Sequence, residues 1–113
     1  MIVIHGLKNC DTCRKALKWL TAEARDHRFH DLRADGLDAT MIDRWSAAVG
    51  WQTLLNRRGT TWRNLPESET TEITEARAKT LMLAHPALIK RPVFETLDGR
   101  VIVGFKAEEQ AVL

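Results

Sequence analysis

Apolar and polar positions along this chain follow two periods, and the switches between them mark out its elements. Residues 2–5 are short, β-branched and stopped by Gly6, the pattern of a buried strand. From Asp11 to about Ala24, the residues Cys13, Ala16, Leu17, Leu20 and Ala24 recur at spacings of three and four, one face of an amphipathic helix. Asn9, Asp11 and Thr12 are all N-cap residue types, so the helix starts near Cys10 without the pattern choosing its cap. Residues 28–32 predict a second short strand. Gly36 and Asp38 introduce a helix carrying Met41, Ile42, Trp45, Ala48 and Val49 on one side, which Gly50 ends. Residues 51–63 predict a turn of helix around Leu54 and Leu55 running into a polar loop. Residues 70–84 predict another helix, with Ile73, Ala76, Thr80 and Leu83 aligned and Pro86 as its stop. Residues 93–97, the turn pair Asp98-Gly99 and residues 101–103 predict a hairpin, and residues 107–113 a closing amphipathic turn or two.

A strand, helix and strand in succession imply parallel pairing, and a terminal hairpin implies antiparallel pairing. That is a thioredoxin-like α/β layout with an inserted helical subdomain at about 36–86, within a single domain spanning 1–113. The length of 113 residues leaves room for one domain and for a core that needs no metal or cross-link. With 44% apolar and 28% charged residues the chain is ordinary globular material, which excludes disordered and disulfide-scaffold classes. A net charge of +2 gives no argument for nucleic-acid binding. The N-terminus lacks the basic region and apolar core of a signal peptide, and the uncharged run at 80–89 is too short to span a bilayer, so the expected location is the cytoplasm. Thiols stay reduced there, which makes the two cysteines candidates for chemistry instead of a structural bridge.

Cys10 and Cys13 form a C-x-x-C pair that follows a predicted strand and heads a predicted helix, the context in which this spacing signals redox chemistry. The unpaired N–H groups of a helix's first turn stabilise a thiolate, and Lys8, Arg14, Lys15 and Lys18 add positive charge nearby. Cys10 is therefore the expected nucleophile. Cys13 lies one turn on, close enough to form a disulfide with Cys10, yet also on the apolar stripe, where it would be a small buried hydrophobe. A zinc site on C-x2-C-x13-H-x2-H fails because His27 and His30 fall at an odd offset on a strand and point to opposite faces, so no metal is expected. Arg91 precedes Pro92 at a predicted strand start and offers a planar fork of donors for an oxyanion. Arg57, Arg58 and Arg63 around Trp62 read as a solvated loop with an anion patch as the sharper alternative.

The residues G-x-x-x-C-x-x-C-x-K-A-x-x-W-L at 6–20, A-D-G-L at 34–37, G-W-x-x-L-L-N at 50–56, R-G-T-T-W-R at 58–63 and I-K-R-P at 89–92 together resemble the arsenate reductase-like family, closest to its Spx- and YffB-related branch. The resemblance implies a nucleophilic Cys10, an oxyanion-binding Arg91 before a cis Pro92, and no bound cofactor, with glutathione as reductant. It leaves the role of Cys13 open. Cys10, Cys13 and Arg91 are then the candidate catalytic residues, and Asn9, Asp11, Thr12, Arg91 and Pro92 the candidate substrate contacts. Two further arginines of the arsenate-reducing members are replaced, by Asn56 and by the Gly104-Phe105 neighbourhood, where Lys106 is the nearest cation. The expected activity is therefore glutathione-dependent reduction of a small disulfide or thiol conjugate. The alternatives are arsenate reduction or an Spx-like redox-sensing regulator that binds the RNA polymerase α subunit.

Overall fold

Ile2, Val3 and Ile4 are stiff at their first side-chain torsion and fit a pleated surface better than a helix, and they form the strand on which the sheet is built. The structure is a computed structural model describing residues 1–113. In chain order its elements are β1 (Ile2–Gly6), α1 (Asp11–Ala22), β2 (His27–Asp31), α2 (Ala39–Val49), α3 (Trp51–Leu54), α4 (Thr60–Arg63), α5 (Glu67–Thr70), α6 (Glu75–Ala84), a 3-10 turn (Pro86–Leu88), β3 (Val93–Glu95), β4 (Val101–Val103) and α7 (Ala107–Val112). They group into two compact units, one of Met1–Gly36 with Arg91–Leu113 and one of Leu37–Lys90. No helix is long and apolar enough to cross a membrane.

The first unit holds a four-stranded mixed sheet in the order β2-β1-β3-β4, with β1 and β2 parallel and the other pairs antiparallel. This is the thioredoxin-like arrangement expected from the element order. Ile4 pairs with Phe29 on one side and Phe94 on the other, and Phe94 pairs with Ile102, so one face of the sheet is an apolar row. Ala16 and Leu20 of α1 close over that row, with Leu17, Trp19, Phe105 and Leu113 packed at its edge. Side chains three and four apart on a helix share a face, which is why the apolar stripe of α1 makes this contact.

In the second unit, Asp38 accepts the Met41 N–H at 2.9 Å and starts α2, and Gly50, at φ 88°, ends it. Trp45 is fully buried, whereas Ala48, expected beside it, is exposed and Ser46 takes the buried position. Lys90 N–H donates to Leu54 O at 2.8 Å and Asn56 N–H to Leu88 O at 2.7 Å, tying the end of α3 to the 3-10 turn and the residues just after it.

Four expectations change. Residues 60–63 form α4 instead of a loop. The helix expected over 70–84 is two pieces: Thr74 caps Arg77 N–H and so sets a new start, and Glu72 adopts a left-handed φ of 52° between them. Ala78, Leu81 and Met82 are buried there in place of the aligned set, and Leu83 is 42% exposed. The hairpin turn has three residues, Thr96 N–H bonding Arg100 O at 3.0 Å around Leu97, Asp98 and a left-handed Gly99. Ala24 does not extend the α1 stripe; it lies beyond the helix end with φ 54°.

Candidate active site

After β1 the chain turns through Lys8 and Asn9, and Cys10 N–H donates to Leu7 O at 3.3 Å. Cys10 itself is the N-cap of α1: its backbone is extended, and its carbonyl accepts the Arg14 N–H at 3.0 Å. None of Asn9, Asp11 or Thr12 caps the helix. All three are exposed, and Asp11 instead binds Arg14 through a 2.9 Å ion pair. Cys10 thus stands at the start of α1, where the free N–H groups of the first turn and the helix dipole favour an anion.

Cys10 is half-buried and Cys13 is 1% exposed, both as free thiols. Partial burial, the largest single influence on Cys10, pushes its pKa up, but the Cys13 N–H, a hydrogen bond and positive charge from Arg91, and the Cys13 thiol together bring it below the ordinary value. Cys13 goes the other way. Its burial dominates and, despite the Leu7 N–H directed at its sulfur, the hydrogen bond and charge of Cys10 help push it up to about 12.

The cation that acts on Cys10 is remote in sequence. Strand register explains how it arrives: β1 and β3 pair Val3 with Glu95, Ile4 with Phe94 and His5 with Val93, so the residues preceding β3 run alongside the end of β1. The Arg91–Pro92 peptide bond is cis, and the Pro92 carbonyl accepts Gly104 N–H at 2.9 Å. Arg91 thus meets Cys10, whereas Arg14 is taken by Asp11, and Lys8, Lys15 and Lys18 are absent from the leading influences on the thiol. The local cluster of cations singled out in the sequence is not the charge that matters most.

Gly6 is the residue whose reason the sequence pattern did not supply. A β-carbon built on it would stand 2.4 Å from the Cys13 sulfur, so only glycine lets β1 pass the buried thiol. The Gly-to-Cys spacing was visible, but the contact that demands it was not. His27 and His30 each bond a backbone carbonyl, of Arg25 and Gly36 respectively. Phe105 packs on Trp19 and Phe94, with ring centroids 5.6 and 6.2 Å apart. In the second unit, Arg57 lies over the rings of Trp51 and Trp62, 5.8 and 5.6 Å from their centroids, and the Asn56 side chain accepts the Arg58 N–H at 3.1 Å.

The family model for ArsC matches residues 5–113. An uncharacterized protein of Haemophilus influenzae is 42% identical over 109 residues, covering 96% of this chain and 95% of its own. The solved structure of the YffB protein is 47% identical with a TM-score of 0.92, covering 99% of this chain and 97% of that one. A more distant similarity, 23% identity over 114 residues, runs to the global transcriptional regulator Spx 2 of Bacillus cereus, with 96% of this chain and 83% of that protein covered.

Proposed function

From the premise that this chain belongs to the ArsC family, we propose that it is a glutathione-dependent thiol–disulfide reductase with Cys10 as nucleophile and Arg91 as the fixed cation of the site. The observation that carries this reading is the meeting of Arg91 with a half-buried Cys10 at the helix start, which stabilises the thiolate. The thiolate attacks the glutathione sulfur of a mixed disulfide. The Cys10–glutathione bond forms, the substrate sulfur leaves with the electron pair and takes a proton from solvent. A second glutathione, as thiolate, then attacks the glutathione sulfur bound to Cys10, releasing glutathione disulfide and restoring the Cys10 thiolate. The net change is a thiol–disulfide exchange in which one glutathione is consumed, the substrate sulfur leaves as its thiol, and the two glutathionyl sulfurs end joined in glutathione disulfide. Arg91 stabilises negative charge on the sulfurs during both transfers.

Arsenate is a poorer fit. Its charge is spread over several oxygens, and where arsenate-reducing relatives would have further arginines this chain has Asn56 and a Gly104-Phe105 pair whose ring is packed in the apolar core. The test is turnover of a glutathionylated substrate with glutathione beside arsenate on one preparation. Glutathione-linked turnover with negligible arsenate reduction is expected. Robust arsenate turnover would overturn the assignment, and absence of both with capture of the RNA polymerase α subunit would replace it with a regulatory role.

A further inference from the structure

Beside the thiol pair lies a cavity near 350 Å³ in volume, lined by Leu7, Lys8, Asn9, Asp31, Arg33 and Ala34. Its location follows from the parallel pairing of β1 and β2. Gly6 stands opposite Asp31, and Leu32 N–H donates to Gly6 O at 2.9 Å, so both strands end together and the turns after them open on one side. In α/β sheets the crevice beyond the carboxyl ends of parallel strands is where ligands bind.

The charges in this cavity are of both signs and only partly satisfied within the chain. Asp31 Oδ1 accepts the N–H groups of Arg33 and Ala34 at 2.8 and 3.0 Å, while Oδ2 accepts none. The Ala34 N–H foremost, then that of Arg33 and the charges of Lys8 and Arg33, hold the Asp31 carboxyl below its usual range against the cost of burial, so it is ionised at neutral pH. The side chains of Lys8 and Arg33 stand near enough to act on Asp31, yet enter no hydrogen bond or ion pair. A simple anion would be attracted by the two cations and repelled by the carboxylate. A group carrying both charges meets no such conflict.

We infer that this cleft binds the α-ammonium and α-carboxylate of an amino-acid head group, Asp31 facing the ammonium and Lys8 with Arg33 the carboxylate. The inference rests on the reductase reading above, under which the head group is the γ-glutamyl end of glutathione. The reach is suitable: the Leu7–Cys10 turn is closed by a 3.3 Å hydrogen bond, which holds the cleft wall within one turn of Cys10, roughly 7 Å from Cα to Cα. The γ-glutamyl and cysteinyl residues of glutathione span about the same distance. Arg33 thereby becomes a specificity determinant for which thiol the site accepts.

S-methylglutathione, which cannot exchange sulfur, separates binding from turnover. Titrated into isotope-labelled protein, it should shift the backbone amides of Lys8, Arg33 and Ala34. Arg33→Ala and Lys8→Ala should each weaken that binding about tenfold, and S-methyl-cysteinylglycine, which lacks the γ-glutamyl group, should fail to shift those amides. In turnover, Arg33→Ala should raise KM for glutathione about tenfold more than KM for 2-mercaptoethanol. Equal binding of the two S-methyl peptides, or unchanged S-methylglutathione affinity in both variants, would overturn the inference even if glutathione supports turnover. Cleft binding without any glutathione-linked turnover would instead sustain it and overturn the reductase reading.

Discussion

Replacing Arg91 with alanine removes both a hydrogen bond to Cys10 and a positive charge that lowers its pKa. A charge-assisted hydrogen bond contributes about 1.5 to 3 kcal/mol, and solvent screening at a half-buried site argues for the low end. At ~1.4 kcal/mol per pKa unit, the Cys10 pKa should rise by about one unit. Below both pKa values the thiolate population then falls about tenfold. The more basic thiolate is about threefold more nucleophilic, so alkylation slows about threefold overall. Above both pKa values the population effect disappears and the variant reacts about threefold faster. The two pH–rate curves must cross.

The assay is iodoacetamide alkylation of Cys10 across pH, read by mass spectrometry so that Cys13 is scored separately. Arg58→Ala is the control, since Arg58 is exposed and lies in the other unit. A crossing for Arg91→Ala and none for Arg58→Ala is expected. Superimposable profiles for parent and Arg91→Ala, or an equal shift in both variants, would show that Arg91 does not tune the thiol. Glutathione-linked turnover should fall further than alkylation does, because the same guanidinium also stabilises charge on the exchanging sulfurs.

Gly6→Ala should cost about 1 to 3 kcal/mol through its 2.4 Å clash with the Cys13 sulfur, and most of that loss should vanish in Gly6→Ala/Cys13→Ala; additive losses in urea melts would refute the contact. The raised Cys13 pKa means the folded state keeps a proton that the unfolded chain releases near the ordinary thiol value of 9.0, so stability is intact below that value and declines as pH rises toward about 12. Thermal melts should record this alkaline decline in the parent and a weaker one in Cys13→Ala. Asp38→Ala should lower stability by about 1 kcal/mol, or about 4 °C in Tm, through loss of the Met41 cap, whereas Thr12→Ala should do little because Cys10 occupies the cap of α1. In Cys10→Ser the Cys13 pKa should fall from its parental value, since the Cys10 thiolate is one of the influences raising it; an unchanged titration would refute the coupling.

What the sequence made legible follows the range over which each interaction acts. The start of α1 and the exposed-to-buried order of Cys10 and Cys13 are local consequences of period and spacing, and they were readable. The aligned set Ile73, Ala76, Thr80 and Leu83 failed because α6 is short and nearly even around its circumference, so packing of Ala78, Leu81 and Met82 chose the face. Asp98-Gly99 marked a turn correctly but not its length, which depends on the Thr96–Arg100 pairing. Arg91 stood out beside Pro92 as an oxyanion binder, but only the resemblance tied it to Cys10. Its approach to Cys10 depends on β1–β3 register, and a periodicity within either segment carries no information about pairing between them. The cleft of Lys8, Asp31 and Arg33 lay in two separate turns for the same reason.

The opposite displacement of the two thiols bears on how Cys13 could take part. In the resting site the Cys10 thiolate and the Cys13 proton stabilise one another: the Cys13 N–H and thiol lower the first pKa, and the Cys10 hydrogen bond and charge raise the second. Mixed-disulfide formation on Cys10 removes its negative charge. Two of the three influences that raise Cys13 then vanish, while the Leu7 N–H and the positive charge of Arg91, which lower it, remain. Burial still opposes ionisation, so Cys13 does not become as acidic as Cys10, but it becomes more acidic at the stage when an internal nucleophile would be useful. The charge on Cys10 therefore holds Cys13 protonated before attack and eases its ionisation once the mixed disulfide has formed. Resolution of the mixed disulfide, by glutathione attacking the glutathione sulfur or by Cys13 attacking the Cys10 sulfur, becomes a competition set by how far burial still holds Cys13 protonated.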